Sequence, residues 1–129
     1  MAADARLIDA VIYKDLRAVE ELLEQGANPS ATDKFHCCTL SWAARGGKLD
    51  VIQLLLNKKA DATIADKWGN TPLHEAASAG ELAAAQLLLA AGVDTSATNK
   101  AGETALDVAR SRKKRIPALE AALSAQSAS

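Results

Sequence analysis

Residues 35–47, FHCCTLSWAARGG, gather the side chains of this chain best suited to chemistry: His36, two adjacent cysteines at Cys37 and Cys38, Ser41 and Trp42. Three kinds of chemistry use such residues. Zinc takes four ligands in a tetrahedron, commonly from cysteines two to four residues apart, and adjacent cysteines lack that spacing. A cysteine nucleophile needs a lowered thiol pKa, a base and an orienting third group. No acid or oxyanion partner is evident beside Cys38, and no strand-turn-helix elbow surrounds Ser41 for a serine triad with His74 and an aspartate. Reversible oxidation needs only an accessible thiol, and Cys37 on an exposed loop would satisfy that need.

The elements that must position these residues follow from the whole chain. It has 129 residues, is 49% hydrophobic, and carries fifteen Lys and Arg against sixteen Asp and Glu for a formal charge of -1. That length suits one domain with a real core. The charge balance argues against nucleic acid and anionic membranes as partners, so electrostatic recognition must be local. No apolar run approaches the roughly 18 residues of a membrane helix, and no leader-like series opens the sequence. Neighbouring cysteines cannot staple distant segments, which points to a reducing compartment. A cytoplasmic location is expected, with the nucleus as the alternative if the basic run from Arg110 to Arg115 acts as an import signal.

Leucine recurs at Leu7, Leu40, Leu73 and Leu106, each 33 residues from the next. DKWGNTPLHEAASAGELAAAQLLLAAGVD from Asp66 lies over DKFHCCTLSWAARGGKLDVIQLLLNKKAD from Asp33, and NKAGETALDVARSRKKR from Asn99 continues the register. The N-terminal RLIDAVIYKDLRAVEELLEQGANPSATDK falls in the same frame without an opening loop. Within one unit, Thr71 is suited to cap a helix that Pro72 begins, where no N–H is missed. Leu73, Ala76 and Ala77 form a narrow apolar stripe, and Gly80 ends the helix by taking a left-handed conformation. Leu82, Ala85, Leu88 and Leu89 mark the buried side of a second helix closed by Gly92, and GVDTSATNKAGE supplies a turn-rich loop to the next unit.

The order TPLH at Thr71 to His74, followed by Ala76, Ala77, Gly80, a leucine triplet and AGVD, resembles the ankyrin repeat over residues 6–123. The resemblance implies an all-α solenoid of stacked helix-turn-helix units with projecting β-turn loops. The units run 1–33 as an N-terminal cap, 34–66, 67–99 and 100–123 as a C-terminal cap, with 124–129 a flexible tail. Arg6, Asp9 and Asp15 at one end and Arg110, Arg112, Lys113, Lys114 and Arg115 at the other keep the end units soluble, and Pro117 fits the first turn of a last helix. Subtracting one period shows Cys38 standing at the position of Thr71 and Cys37 at that of Asn70, so the cluster is a degenerate TPLH opening. Cysteine caps poorly, and Thr39 or Ser41 is expected to supply part of the missing hydrogen bonding. His74 is expected to knit loop to helix.

In this family the usual surface for binding another protein is the concave face made by the first helices and their loops. Carried over by position, it includes Lys34, Phe35 and Cys37, then Lys67, Trp68 and Asn70, then Lys100, Ala101 and Glu103. From the ends of the first helices come Ile12, Tyr13, Arg45, Gly46, Ser78, Ala79, Ser111 and Arg112. Aromatic residues make up only 3% of the chain, so Tyr13, Phe35 and Trp68 on one face is informative. Large aromatics and arginine anchor interfaces. Packing of Phe35 and Trp68 on adjacent loops is the plainer account, and the two roles are compatible. Trp42 is assigned to packing between units. Lys34, Lys67 and Lys100 repeat with the period and suit an acidic partner segment, whereas Glu20, Glu21 and Glu24 lie on the outer side of the first unit. The expectation is a monomeric, non-catalytic adaptor, inhibitor or assembly factor without cofactor or metal. The alternatives are a redox-responsive regulator acting through Cys37 or Cys38 and anion or nucleic-acid binding at the basic C-terminal run.

Overall fold

A computed structural model describes residues 2–127. Among them lie eight helices and no β-strand: α1 Ala2–Ile12, α2 Leu16–Glu24, α3 Thr39–Gly46, α4 Leu49–Asn57, α5 Pro72–Ala79, α6 Leu82–Ala90, α7 Ala105–Arg110 and α8 Pro117–Ser127. The helices pair within each unit. Between units α1, α3, α5 and α7 pack in one row and α2, α4, α6 and α8 in a second. The fold is thus an all-α repeat solenoid. No helix among the described residues is long and apolar enough to cross a membrane.

Local chemistry sets the helix ends. Thr71 caps α5: its Oγ1 accepts from the His74 N–H at 3.4 Å, while the Thr71 N–H donates to His74 Nδ1 at 3.1 Å. With Nδ1 accepting, Nε2 carries the proton and donates to the Glu103 carbonyl at 2.8 Å. His74 therefore ties its own helix start to the next unit's loop. Thr104 and Asp107 form the same reciprocal box on α7. On α3 the N-cap is Cys38, which makes no side-chain cap bond. Here the expected compensation fails. The Thr39 hydroxyl donates backwards to the Pro29 carbonyl, and the Ser41 hydroxyl is engaged by the Cys38 thiol at 3.5 Å. Gly47 and Gly80 end α3 and α5 at φ 67° and 73°, left-handed angles that cost an L-residue energy but not glycine.

The core runs continuously through the stack. Leu7, Leu40 and Leu73 are fully or almost fully buried, together with Val19 and Leu22, Val51, Ile52 and Leu55, and Leu88. Leu106 breaks the ladder: it is only partly buried, and Ala105 and Ala109 make the tight contacts of α7. Among the described residues no further unit packs beyond α7, so the last leucine keeps an open side. On α6, Ala84 is buried where Leu82 is only partly so. At the C-terminus α8 continues to Ser127, into the segment expected as a flexible tail, and residues 128 and 129 lie outside the described residues. Each fully buried leucine contributes about 1.5–3 kcal/mol, and because every helix pair lends one side to its neighbour, stability accrues along a line.

Candidate protein-binding surface

The loops between units are built to one plan. Asp33 Oδ1 accepts from the N–H groups of Phe35 and Cys37 at 2.8 and 3.0 Å. Asp66 does the same for Trp68 and Asn70, and Asn99 for Ala101 and Glu103. The loops also bond edge to edge, the Lys67 N–H to the Phe35 carbonyl at 2.9 Å and the Lys100 N–H to the Trp68 carbonyl at 3.0 Å. Glycine suits the close approach at Gly69, where a Cβ would lie 2.8 Å from the Lys100 nitrogen and φ is +80°. His36 occupies the equivalent position at φ 65°.

This scaffold lifts Lys34, Phe35, Lys67, Trp68, Lys100 and Ala101 to the loop tips. The Phe35 and Trp68 rings stack with centroids 5.9 Å apart at 29°, yet remain 37% and 50% exposed. Lys67 Nζ sits over both, 5.2 Å from the Phe35 centroid and 4.8 Å from that of Trp68, and Lys34 Nζ lies 5.2 Å from Phe35. Each exposed cation–π contact is worth about 0.5–1 kcal/mol, enough to orient a side chain without burying it. The two rings thus pack on each other and still face solvent. Tyr13, just beyond α1, is 81% exposed.

On the first helices the assigned residues divide into exposed and engaged. Arg45 lies 5.0 Å over the Trp42 ring and grips Glu75 through Nε at 2.9 Å and Nη2 at 2.7 Å. Glu75 is buried, so this ion pair bridges α3 and α5. Trp42 is partly buried against the core and donates from Nε1 to Asp33 Oδ2 at 3.1 Å. Asn70 Oδ1 accepts from Asn99 Nδ2 at 2.9 Å, and Glu103 Oε1 accepts from the same amide group at 3.1 Å. Ser78 presents its side chain to solvent while its carbonyl accepts from Arg112 Nη1. Arg112 thereby covers the negative end of α5, lying so close to Gly80 that a Cβ there would meet its guanidinium at 2.7 Å. Of the rest of the basic run, Arg115 pairs with Glu120 through Nε at 2.9 Å, which holds the Glu120 carboxyl below its ordinary range. Lys113 and Lys114 are exposed.

Cys37 corrects the sequence reading. It is buried, 8% exposed, with Sγ 3.7 Å from Asp66 Oδ2. Burial and then the negative charges of Asp33, Asp66 and Glu75 push its pKa up to about 12. Cys38 is buried still deeper, and that burial raises its thiol too. Both sulfurs stay protonated at neutral pH, the opposite of what a redox or nucleophilic thiol requires. The loop position had suggested exposure, but the carboxylate of the following loop closes over the sulfur. Reasoning along the sequence also passed over Asp33, Asp66 and Glu75, whose partners are helix or loop residues 9 to 30 positions away. The identical placement of Asp33 and Asp66 ahead of the two lysine-aromatic pairs was the visible clue. Among the described residues no group of three or more His, Cys, Asp or Glu side chains is arranged to hold a metal ion.

No curated protein matches the chain. A family model for ankyrin repeats in three copies matches residues 7–99 and again residues 40–124. With the helix pairs, TPLH box and stacked loops in one register over that span, the chain belongs to the ankyrin-repeat family.

Proposed function

We propose that this chain is a non-catalytic protein-binding module, an adaptor, inhibitor or assembly factor, that grips its partner with the loop tips and the first-helix face. Ankyrin repeats are protein–protein interaction modules, and the particular surface is argued from one observation: Phe35 and Trp68, from a chain poor in aromatics, stack on neighbouring loops yet leave half of the tryptophan open to solvent. A stacked pair already fixed by cations loses little entropy on binding, which is what an interface anchor needs. Tyr13, Arg45, Ser78 and Arg112 extend the surface along the first helices, and Lys100, Asn70 and Glu103 along the loops. The working form is a cytoplasmic monomer.

The test is affinity capture with chemical crosslinking from a native lysate, using the wild-type chain, Phe35→Ala and Trp68→Ala, with circular dichroism confirming that both variants keep their helices. The proposal expects the crosslinked peptides to include residues 34–35 and 67–68 and expects capture to fall with either substitution. Undiminished capture of every protein by both variants would place the interface elsewhere.

A further inference from the structure

We infer that the partner reaches this surface as an extended acidic segment carrying one flat apolar side chain, a conclusion that rests on the protein-binding reading above. Lys34, Lys67 and Lys100 stand one period apart on the loop tips, and none is paired with a carboxylate among the described residues. The acids nearest in sequence cannot neutralise them from outside, because Asp33 and Asp66 are spent inwards on both oxygens. Oδ1 of each holds two N–H groups of its own loop. Oδ2 of Asp33 takes Trp42, and Oδ2 of Asp66 takes Cys37. On the first two loops the edge therefore shows cations outwards and hides its anions, and on the third the half-buried Glu103 is held through Oε1 by the Asn99 amide.

Apolar surface lies in the same patch. Lys67 sits over both rings, so a carboxylate meeting its ammonium brings the neighbouring residue of the same segment against the exposed half of Trp68. Spacing favours an extended peptide. Each loop doubles back on itself, and two strand widths of about 4.8 Å put successive tips roughly 10 Å apart. A polyproline II segment rises about 3.1 Å per residue and returns to the same face every third residue, which matches that interval. Three cations on a chain of formal charge -1 suit a short acidic peptide better than a nucleic acid, whose affinity is built from many phosphate contacts.

Fluorescence anisotropy of a fluorescein-labelled synthetic peptide with Glu at every third position and one central Trp tests this on the full chain. The wild-type protein is expected to bind it at least about tenfold more tightly than the peptide with Gln in place of Glu, and the preference should shrink with added salt. The combined variant Lys34→Gln, Lys67→Gln and Lys100→Gln should lose the preference. A peptide with Ala replacing its Trp should weaken similarly, an arm that does not depend on any protein variant folding. Equal binding of the Glu and Gln peptides, no binding of either, or displacement by a single-stranded oligonucleotide as readily as by unlabelled peptide would overturn the inference. If the peptides fail while lysate capture still depends on Trp68, the partner is a protein of other chemistry and the binding reading stands; if both fail, the surface itself is misassigned.

Discussion

Lys59 offers the cleanest check on the period that organises this molecule. It sits just after α4 at φ 69°, the position held by Gly26 after α2 and Gly92 after α6, at φ 96° and 85°. All three close their helices alike, each N–H bonding back to a carbonyl three residues earlier. A left-handed conformation costs an L-residue about 1–2 kcal/mol, and the extra freedom of glycine in the unfolded chain returns about 0.4–1 kcal/mol of that. Lys59→Gly should therefore stabilise by about 0.5–1 kcal/mol, raising the thermal midpoint by about 2–5 °C for a domain of this size. The exposed lysine makes no ion pair that the change would remove. Gly92→Lys supplies the reverse experiment: a Cβ there meets nothing within 4 Å, so only backbone strain changes, and a loss of about the same size is expected. Urea unfolding followed by circular dichroism measures both. If Lys59→Gly lowers the midpoint, or Gly92→Lys leaves it untouched, the equivalence of these positions is not energetic and the argument fails.

Leu73→Ala, at the centre of the stack, should cost about 2–5 kcal/mol, and an unchanged urea midpoint would show that the leucine ladder is not the core. Cys38→Thr should restore to α3 the cap that Thr71 and Thr104 give α5 and α7, gaining about 0.5–1 kcal/mol by the same assay; a loss would show that the Cys38 to Ser41 contact matters more. Cys37 should resist iodoacetamide in the native protein near pH 8 and react readily in urea, as followed by mass spectrometry. Because its folded pKa is raised from 9.0 to about 12, its contribution to stability is fully present below about pH 9 and is lost as pH rises towards 12, where the unfolded thiol ionises first. Cys37→Ala should flatten that part of the stability profile relative to wild type.

What could be read from the amino acids was whatever repeats. Thr71, Pro72, Leu73 and Gly80 declare a capped, buried and terminated helix through backbone rules that act within a turn. Subtracting 33 then explains why Cys38 stands at a helix start without being catalytic. What escaped depends on contact between units. Cys37 looked exposed because its own loop is exposed, and only the arrival of Asp66 from the next loop buries it. Arg45 was assigned to the binding face, but its charge is shared with Glu75 on the neighbouring helix. Leu106 keeps the period and still loses full burial because position in the stack, rather than residue type, decides how many neighbours it has. The tips of the loops were legible as a row; that Lys67 bridges two rings was not, since spacing along the chain says nothing of where a long side chain lies down.

Many of the side-chain bonds that join units reach about one period along the chain: 29 residues from Cys37 to Asp66, from Asn70 to Asn99 and from His74 to Glu103, and 30 from Arg45 to Glu75. A molecule wired only to its nearest kin needs no distant ends to find each other, so its topology favours quick assembly growing outward from any well-formed pair. Damage should be correspondingly parochial. A nick or an inserted stretch in one connecting loop would loosen the two adjoining pairs and leave those farther along still stacked.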